Sequence, residues 1–172
     1  MPTCNIMIGL PGVGKSTWID KHFGNHINVQ IASSDWHIEK VAEILGTTYS
    51  EIFNDVIKYA DRAFFHGLDT YAFNSMDIVV DRTNLTKHSR SKVMNAVKKN
   101  AKEPYSFRAF NFITPDPTEH MNRLAKRHGK YITPDTIKAM TMAYQVPSAN
   151  EGFDMIYNVN PDGNTVEVYK NA

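Results

Sequence analysis

Short apolar runs bounded by turn residues alternate along this chain with longer amphipathic stretches, the arrangement expected of parallel strands covered by helices. The runs at 3–9, 28–33, 77–81 and 106–113 read as strands. A C-terminal pair, 155–159 and 165–169, reads as a hairpin across Pro161-Asp162-Gly163-Asn164. Helix starts carry their own chemistry. Thr48 and Glu51 form a capping box ahead of an amphipathic stretch from 49 to about 73. Asp116-Pro117-Thr118-Glu119 supplies an N-cap, a proline at the first helical position and an acid in the first turn. Thr133-Pro134-Asp135 repeats that pattern for a helix running to Tyr144, and shorter helices are predicted over 16–23 and 38–45. No repeat, low-complexity tract or linker interrupts the series. These elements predict a single α/β domain over residues 1–172, a three-layer fold whose mostly parallel sheet of about five strands carries helices on both faces.

Composition narrows the class without altering that picture. With 42% hydrophobic and 22% charged residues among 172, the chain reads as one ordinary globular domain. A single cysteine, Cys4, argues against a disulfide framework or a Cys-rich zinc site and fits a reducing cytosol. Its place in an apolar strand points to packing. No run is apolar enough to span a bilayer, and a first strand at residue 3 leaves no room for a removable leader, so a cytoplasmic protein without a membrane partner is expected. With 19 basic against 18 acidic side chains the net charge is +1, so any nucleic-acid contact is expected to be local or confined to an end. The 7 histidines lack metal-ligand spacing.

The strongest chemical signal is Gly9-Leu10-Pro11-Gly12-Val13-Gly14-Lys15-Ser16, which satisfies G-x-x-x-x-G-K-[ST] between a predicted strand and a predicted helix. Such a P-loop lets backbone N–H groups wrap a polyphosphate at the positive end of a helix. Gly9, Pro11, Gly12, Val13, Gly14 and Thr17 are the expected cradle. Lys15 is expected to reach the β- and γ-phosphates of ATP or another nucleoside triphosphate, and Ser16 to ligate Mg²⁺.

Ligands of such a sheet sit beyond the carboxyl ends of its strands. The second strand ends at Ser33-Ser34-Asp35-Trp36-His37, so Asp35 falls where an acceptor hydroxyl would lie and can take its proton; capping the following helix is the competing role. The third strand ends at Asp81-Arg82-Thr83-Asn84, where Asp81 suits a Mg²⁺ contact and Thr83 and Asn84 suit either a turn or the acceptor. Arg123 and Arg127, four apart after Pro117, share a helix face in a candidate lid spanning about 115–132, although a solvated basic face has the same pattern. Trp18 and Trp36 flank the site and have the chemistry to stack on a base, whereas Tyr59, Phe64, Phe65, Tyr71 and Phe73 read as packing.

Taken in order, GLPGVGKSTW, SSDWHIEK, TTYSEIF, VVDRTNL and RLAKRHGKYITPDTI resemble the kinase domain of bacteriophage-type 5′-hydroxyl polynucleotide kinases over about 150 residues. The resemblance implies transfer of the ATP γ-phosphate to the 5′-hydroxyl of DNA or RNA, with Asp35 as general base, Lys15 and Ser16 on the triphosphate and Mg²⁺, and Asp81 in a D-x-T-N segment. It also implies that Arg127 acts as the lid arginine, and it puts Arg123 and Arg90 at basic positions of the pattern. Some members carry an arginine three residues after the base, which holds the acceptor's 3′ phosphate. Ile38 stands there instead, leaving His37 or Arg82 to take part. No D-x-D-G-T motif occurs, so no 3′-phosphatase activity is expected. A nucleoside, nucleotide or other small-molecule kinase is the main alternative, and an acceptor-independent NTPase a further one.

Overall fold

The computed structural model describes residues 1–24 and 26–171. Its elements run β1 Thr3–Ile8, α1 Lys15–Phe23, β2 Val29–Ala32, α2 Ser34–Leu45, α3 Tyr49–Phe73, β3 Asp77–Val80, α4 Lys87–Asn100, β4 Ser106–Phe112, α5 Pro117–Ala125, α6 Pro134–Ala143, β5 Met155–Val159 and β6 Thr165–Lys170. One sheet orders them β2-β3-β1-β4-β5-β6. β1 pairs in parallel with β3 and β4, β3 with β2, and β4 with β5, while β6 closes the edge antiparallel to β5. The sheet has six strands where about five are predicted, because the second arm of the hairpin joins it.

Alternation along β1 divides the core. Cys4, Ile6 and Ile8 join Ile78, Val80, Phe107 and Ala109 under Phe64, Leu68 and Ala72 of α3 and Val93, Met94 and Val97 of α4. Met7 faces the other way, with Val79, Phe110 and Phe112 against Trp18 and Ile19 of α1. Helices therefore cover both faces. Burial pushes the Cys4 thiol up, away from the reactive thiolate. Trp18 is only 7% exposed, with Phe110 5.0 Å and Phe112 5.8 Å from its ring, so it packs the core and is not a base-stacking surface.

Helix α4 escapes the sequence patterning. Arg90 and a scatter of lysines mask the Val93, Met94 and Val97 stripe that it buries. Helix α2 begins at Ser34, earlier than the predicted 38, because Ser33 caps it by accepting from Trp36 N–H. Asp35 is thus not the cap, and its carboxylate is released from that duty. Ile38, Ala42, Ile52 and Ala60 bury the α2–α3 contact. The capping box of Thr48 and Glu51 forms as predicted, and hydrogen bonds from Thr47 and then Thr48 hold the Glu51 carboxyl down to about 2.

Candidate active site

The sheet order reverses on either side of β1, and the crevice at its carboxyl end is where α/β sheets bind ligands. The chain leaves β1 through Gly9 at φ 154°, where a Cβ would stand 3.0 Å from Phe112 Cβ, and enters α1 through Gly14 at φ 98°. Gly9 N–H donates to the Thr83 carbonyl at 2.9 Å, tying the loop to the tip of β3. From α5, His120 Nε2 lies 2.8 Å from the Pro11 carbonyl. That oxygen can only accept, so the ring proton is on Nε2. His120 supports the loop from a position that sequence patterning did not single out.

Lys15 Nζ donates to the Gly9 and Leu10 carbonyls at 2.9 and 2.8 Å. Burial brings its ammonium down to about 8, opposed by Asp81 and reinforced by Arg127. Ser16 Oγ donates to Asp81 Oδ2 at 3.1 Å, and burial raises the Asp81 carboxyl against the pull of Lys15 and Ser16. A hydroxyl and a carboxylate side by side are hard oxygen donors, a set that suits Mg²⁺.

Asp35 stands in the first turn of α2, and both of its oxygens are engaged. Tyr49 Oη donates to Oδ1 at 2.9 Å, and Lys130 Nζ donates to Oδ2 at 3.3 Å. Lys130 also pairs with Glu39 and lies 4.4 Å from the Tyr49 ring centroid. Its own segment is fastened to the start of α3. Ser50 N–H donates to the Gly129 carbonyl at 3.1 Å, and Tyr131 N–H to Ser50 Oγ at 2.8 Å. Neither Tyr49 nor Lys130 was a sequence candidate. Both act across distance in the chain, where local patterning carries no signal.

The two arginines of the candidate lid separate. α5 ends at Ala125, so Arg123 is helical while Arg127 lies beyond the cap at Lys126 and does not share its face as predicted. Arg123 pairs with Glu119 and donates to the Pro161 and Val13 carbonyls at 3.2 and 3.5 Å, bridging α5, hairpin turn and loop. Arg127 lies on the cleft wall, close enough for its positive charge to help lower the Lys15 ammonium.

A cleft of about 1650 Å³ joins these groups, reaching from Asn160–Gly163 past the loop to α2 and α3, with Thr17, Thr83 and His37 on its wall. Burial lowers the His37 ring, which favours its neutral form. Arg82 lines the cleft too, but its guanidinium is bound to Asp61 at 2.8 Å and covers the Phe64 ring at 4.6 Å. Two acceptor candidates are corrected. Asn84 is buried at φ 46° and donates to the Met7 carbonyl at 2.8 Å, anchoring the strand tip. Arg90 is 0% exposed, pairs with Glu151 at 2.6 and 2.8 Å and caps the Asn84, Leu85 and Gln145 carbonyls. Both belong to the core and stand outside the cleft. No helix among the described residues is long and apolar enough to cross a membrane.

The parallel sheet, the loop between β1 and α1, and the Ser16–Asp81 pair define a P-loop NTPase fold. The chain belongs to the AAA_33 family, described as an AAA domain, whose model matches residues 5–147. No curated protein matches in sequence. Among solved structures, a chain of the PezAT chromosomal toxin–antitoxin system of Streptococcus pneumoniae superposes with TM-score 0.66 at 17% identity, covering 98% of this chain and 70% of that one. A fungal RNA kinase gives 0.56 at 14%, covering 92% and 74%. A sugar kinase from Janibacter sp. HTCC2649 gives 0.56 at 12%, covering 94% and 87%. At such identities the likeness is one of fold, and it is equal for the RNA kinase and the sugar kinase.

Proposed function

We propose that the protein is a Mg²⁺-dependent phosphotransferase that moves the γ-phosphate of ATP, or of another nucleoside triphosphate, to the 5′-hydroxyl end of DNA or RNA. One observation carries the reading: the Asp35 carboxylate opens onto the same cleft as Lys15, Ser16 and Asp81. Lys15 and the loop N–H groups hold the triphosphate, and Ser16 with Asp81 would hold the metal. Bound there, Mg²⁺ would supply neutralising charge to the β- and γ-phosphates. Asp35 accepts the acceptor's hydroxyl proton as the new O–P bond forms and the bond from the γ-phosphorus to the β–γ bridging oxygen breaks. Arg127, with Arg123 bracing the loop, offsets charge on the transferring group.

A second reading keeps the chemistry and replaces the acceptor by a nucleoside or other small molecule. Its support is that the positions considered for an acceptor phosphate are otherwise engaged: Arg90 is buried, Arg82 is held by Asp61, and apolar Ile38 is packed in the core at 0% exposure. Incubation with γ-labelled ATP and 5′-hydroxyl DNA, 5′-hydroxyl RNA or a panel of nucleosides and sugars separates the two. Label on oligonucleotide ends supports the first reading. Label confined to small molecules supports the second, and rapid hydrolysis without transfer to any hydroxyl overturns both.

A further inference from the structure

One large side chain at the acceptor end of the cleft has no work in the fold. Trp36 follows Asp35 in the first turn of α2, lines the cleft and is 54% exposed. Its ring centroid lies 5.0 Å from that of His37 at 83°, and His37 stands 6.4 Å from Tyr59, also at 83°. Among the described residues no ring stacks flat on the indole. The phosphate loop lies toward another part of the cleft, the Asn160–Gly163 turn, where Arg123 bridges the Val13 and Pro161 carbonyls. Recognition by charge is poorly provided for beside Trp36, since Arg82 is held by Asp61 and Lys130 by Asp35 and Glu39. A net charge of +1 agrees with an acceptor gripped through something other than a run of phosphates.

We propose that Trp36 is the stacking surface for a nucleobase of the acceptor, placing the hydroxyl of that nucleotide or nucleoside at Asp35. The inference rests on the reading of Asp35 as the group facing the acceptor, and it narrows the acceptor to a base-bearing molecule. Every base offers a π-face, so the surface accepts any base in preference to a bare sugar.

The protein carries two tryptophans, buried Trp18 and exposed Trp36, both on the cleft wall, so indole quenching is assigned to Trp36 by its loss in Trp36→Phe. With the donor site saturated by β,γ-methylene-ATP and Mg²⁺, a nucleoside, a 5′-hydroxyl dinucleotide, the same dinucleotide abasic at its 5′ residue, and a plain sugar are titrated separately. Saturable quenching by a base-bearing compound, absent for the abasic and sugar controls and lost in Trp36→Phe, is the expected result. Trp36→Ala should weaken binding of that compound about tenfold or more, with affinity for the ATP analogue unchanged. Quenching by the dinucleotide alone assigns a polynucleotide end, and quenching by both assigns a small acceptor; either supports the proposal. It is overturned if no base-bearing compound quenches, if Trp36→Ala binds within twofold of the parent, or if only the ATP analogue produces the Trp36 signal. Failure of the Asp35 reading is seen separately, as phosphoryl transfer that survives Asp35→Asn.

Discussion

Tyr49 Oη donates to Asp35 Oδ1 at 2.9 Å while Lys130 Nζ holds Oδ2 at 3.3 Å, so the carboxylate of α2 is fixed by the start of α3 and by the segment that follows α5. Burial, and then the charge of Asp35, raise the Tyr49 hydroxyl well above its ordinary value, which keeps it a donor. The carboxylate is held in one orientation by the fold itself. Removing the phenolic oxygen should cost orientation without emptying the site. Tyr49→Phe is expected to lower kcat about tenfold with KM for ATP unchanged, measured by steady-state transfer kinetics. A rise in KM for ATP with unchanged kcat would place Tyr49 on the donor side.

The lowered ammonium of Lys15 makes nucleotide binding pH-dependent. Its value of about 8 in the free protein is set chiefly by burial, and a bound triphosphate favours the charged form and raises it. Above pH 8 binding therefore takes up a proton, and affinity should fall about five- to tenfold between pH 8 and 9. Titration calorimetry at pH 8.5 in two buffers of different ionisation enthalpy measures the uptake directly. Lys15→Met should bind weakly and lose the dependence.

Arg90 is a structural cation. Truncating it leaves Glu151, whose side chain is 9% exposed, and three backbone carbonyls without their partner. Arg90→Ala should cost about 3–5 kcal/mol in denaturant unfolding, while acceptor KM of the folded enzyme stays at the parent value. A selective rise in acceptor KM with stability intact would return Arg90 to the site.

The phosphate-loop side of this cleft is legible from the sequence and the surroundings of Asp35 much less so, for a physical reason. The loop from Gly9 to Ser16, the strand tips at Asp35 and Asp81 and the caps at Thr48, Asp116 and Thr133 are local signals, each written within a few residues. Tyr49, Lys130 and His120 act through contacts 14, 95 and 109 residues away, which no short window contains. Arg90 and Asn84 mislead in the opposite direction. A basic residue and a turn residue beside a motif look like ligand contacts until their burial shows them satisfying backbone carbonyls. The four-residue spacing of Arg123 and Arg127 predicts one shared helix face, but the helix stops at Ala125 and the last turn tightens through Arg127 N–H to the Leu124 carbonyl.

Asp35→Asn tests the central claim most directly, because it keeps the shape of the side chain and removes its basicity. The account predicts that transfer from γ-labelled ATP to the best acceptor falls at least a hundredfold, while calorimetric affinity for ATP stays within about twofold of the parent. Transfer that persists within a few-fold, with ATP bound normally, would contradict it.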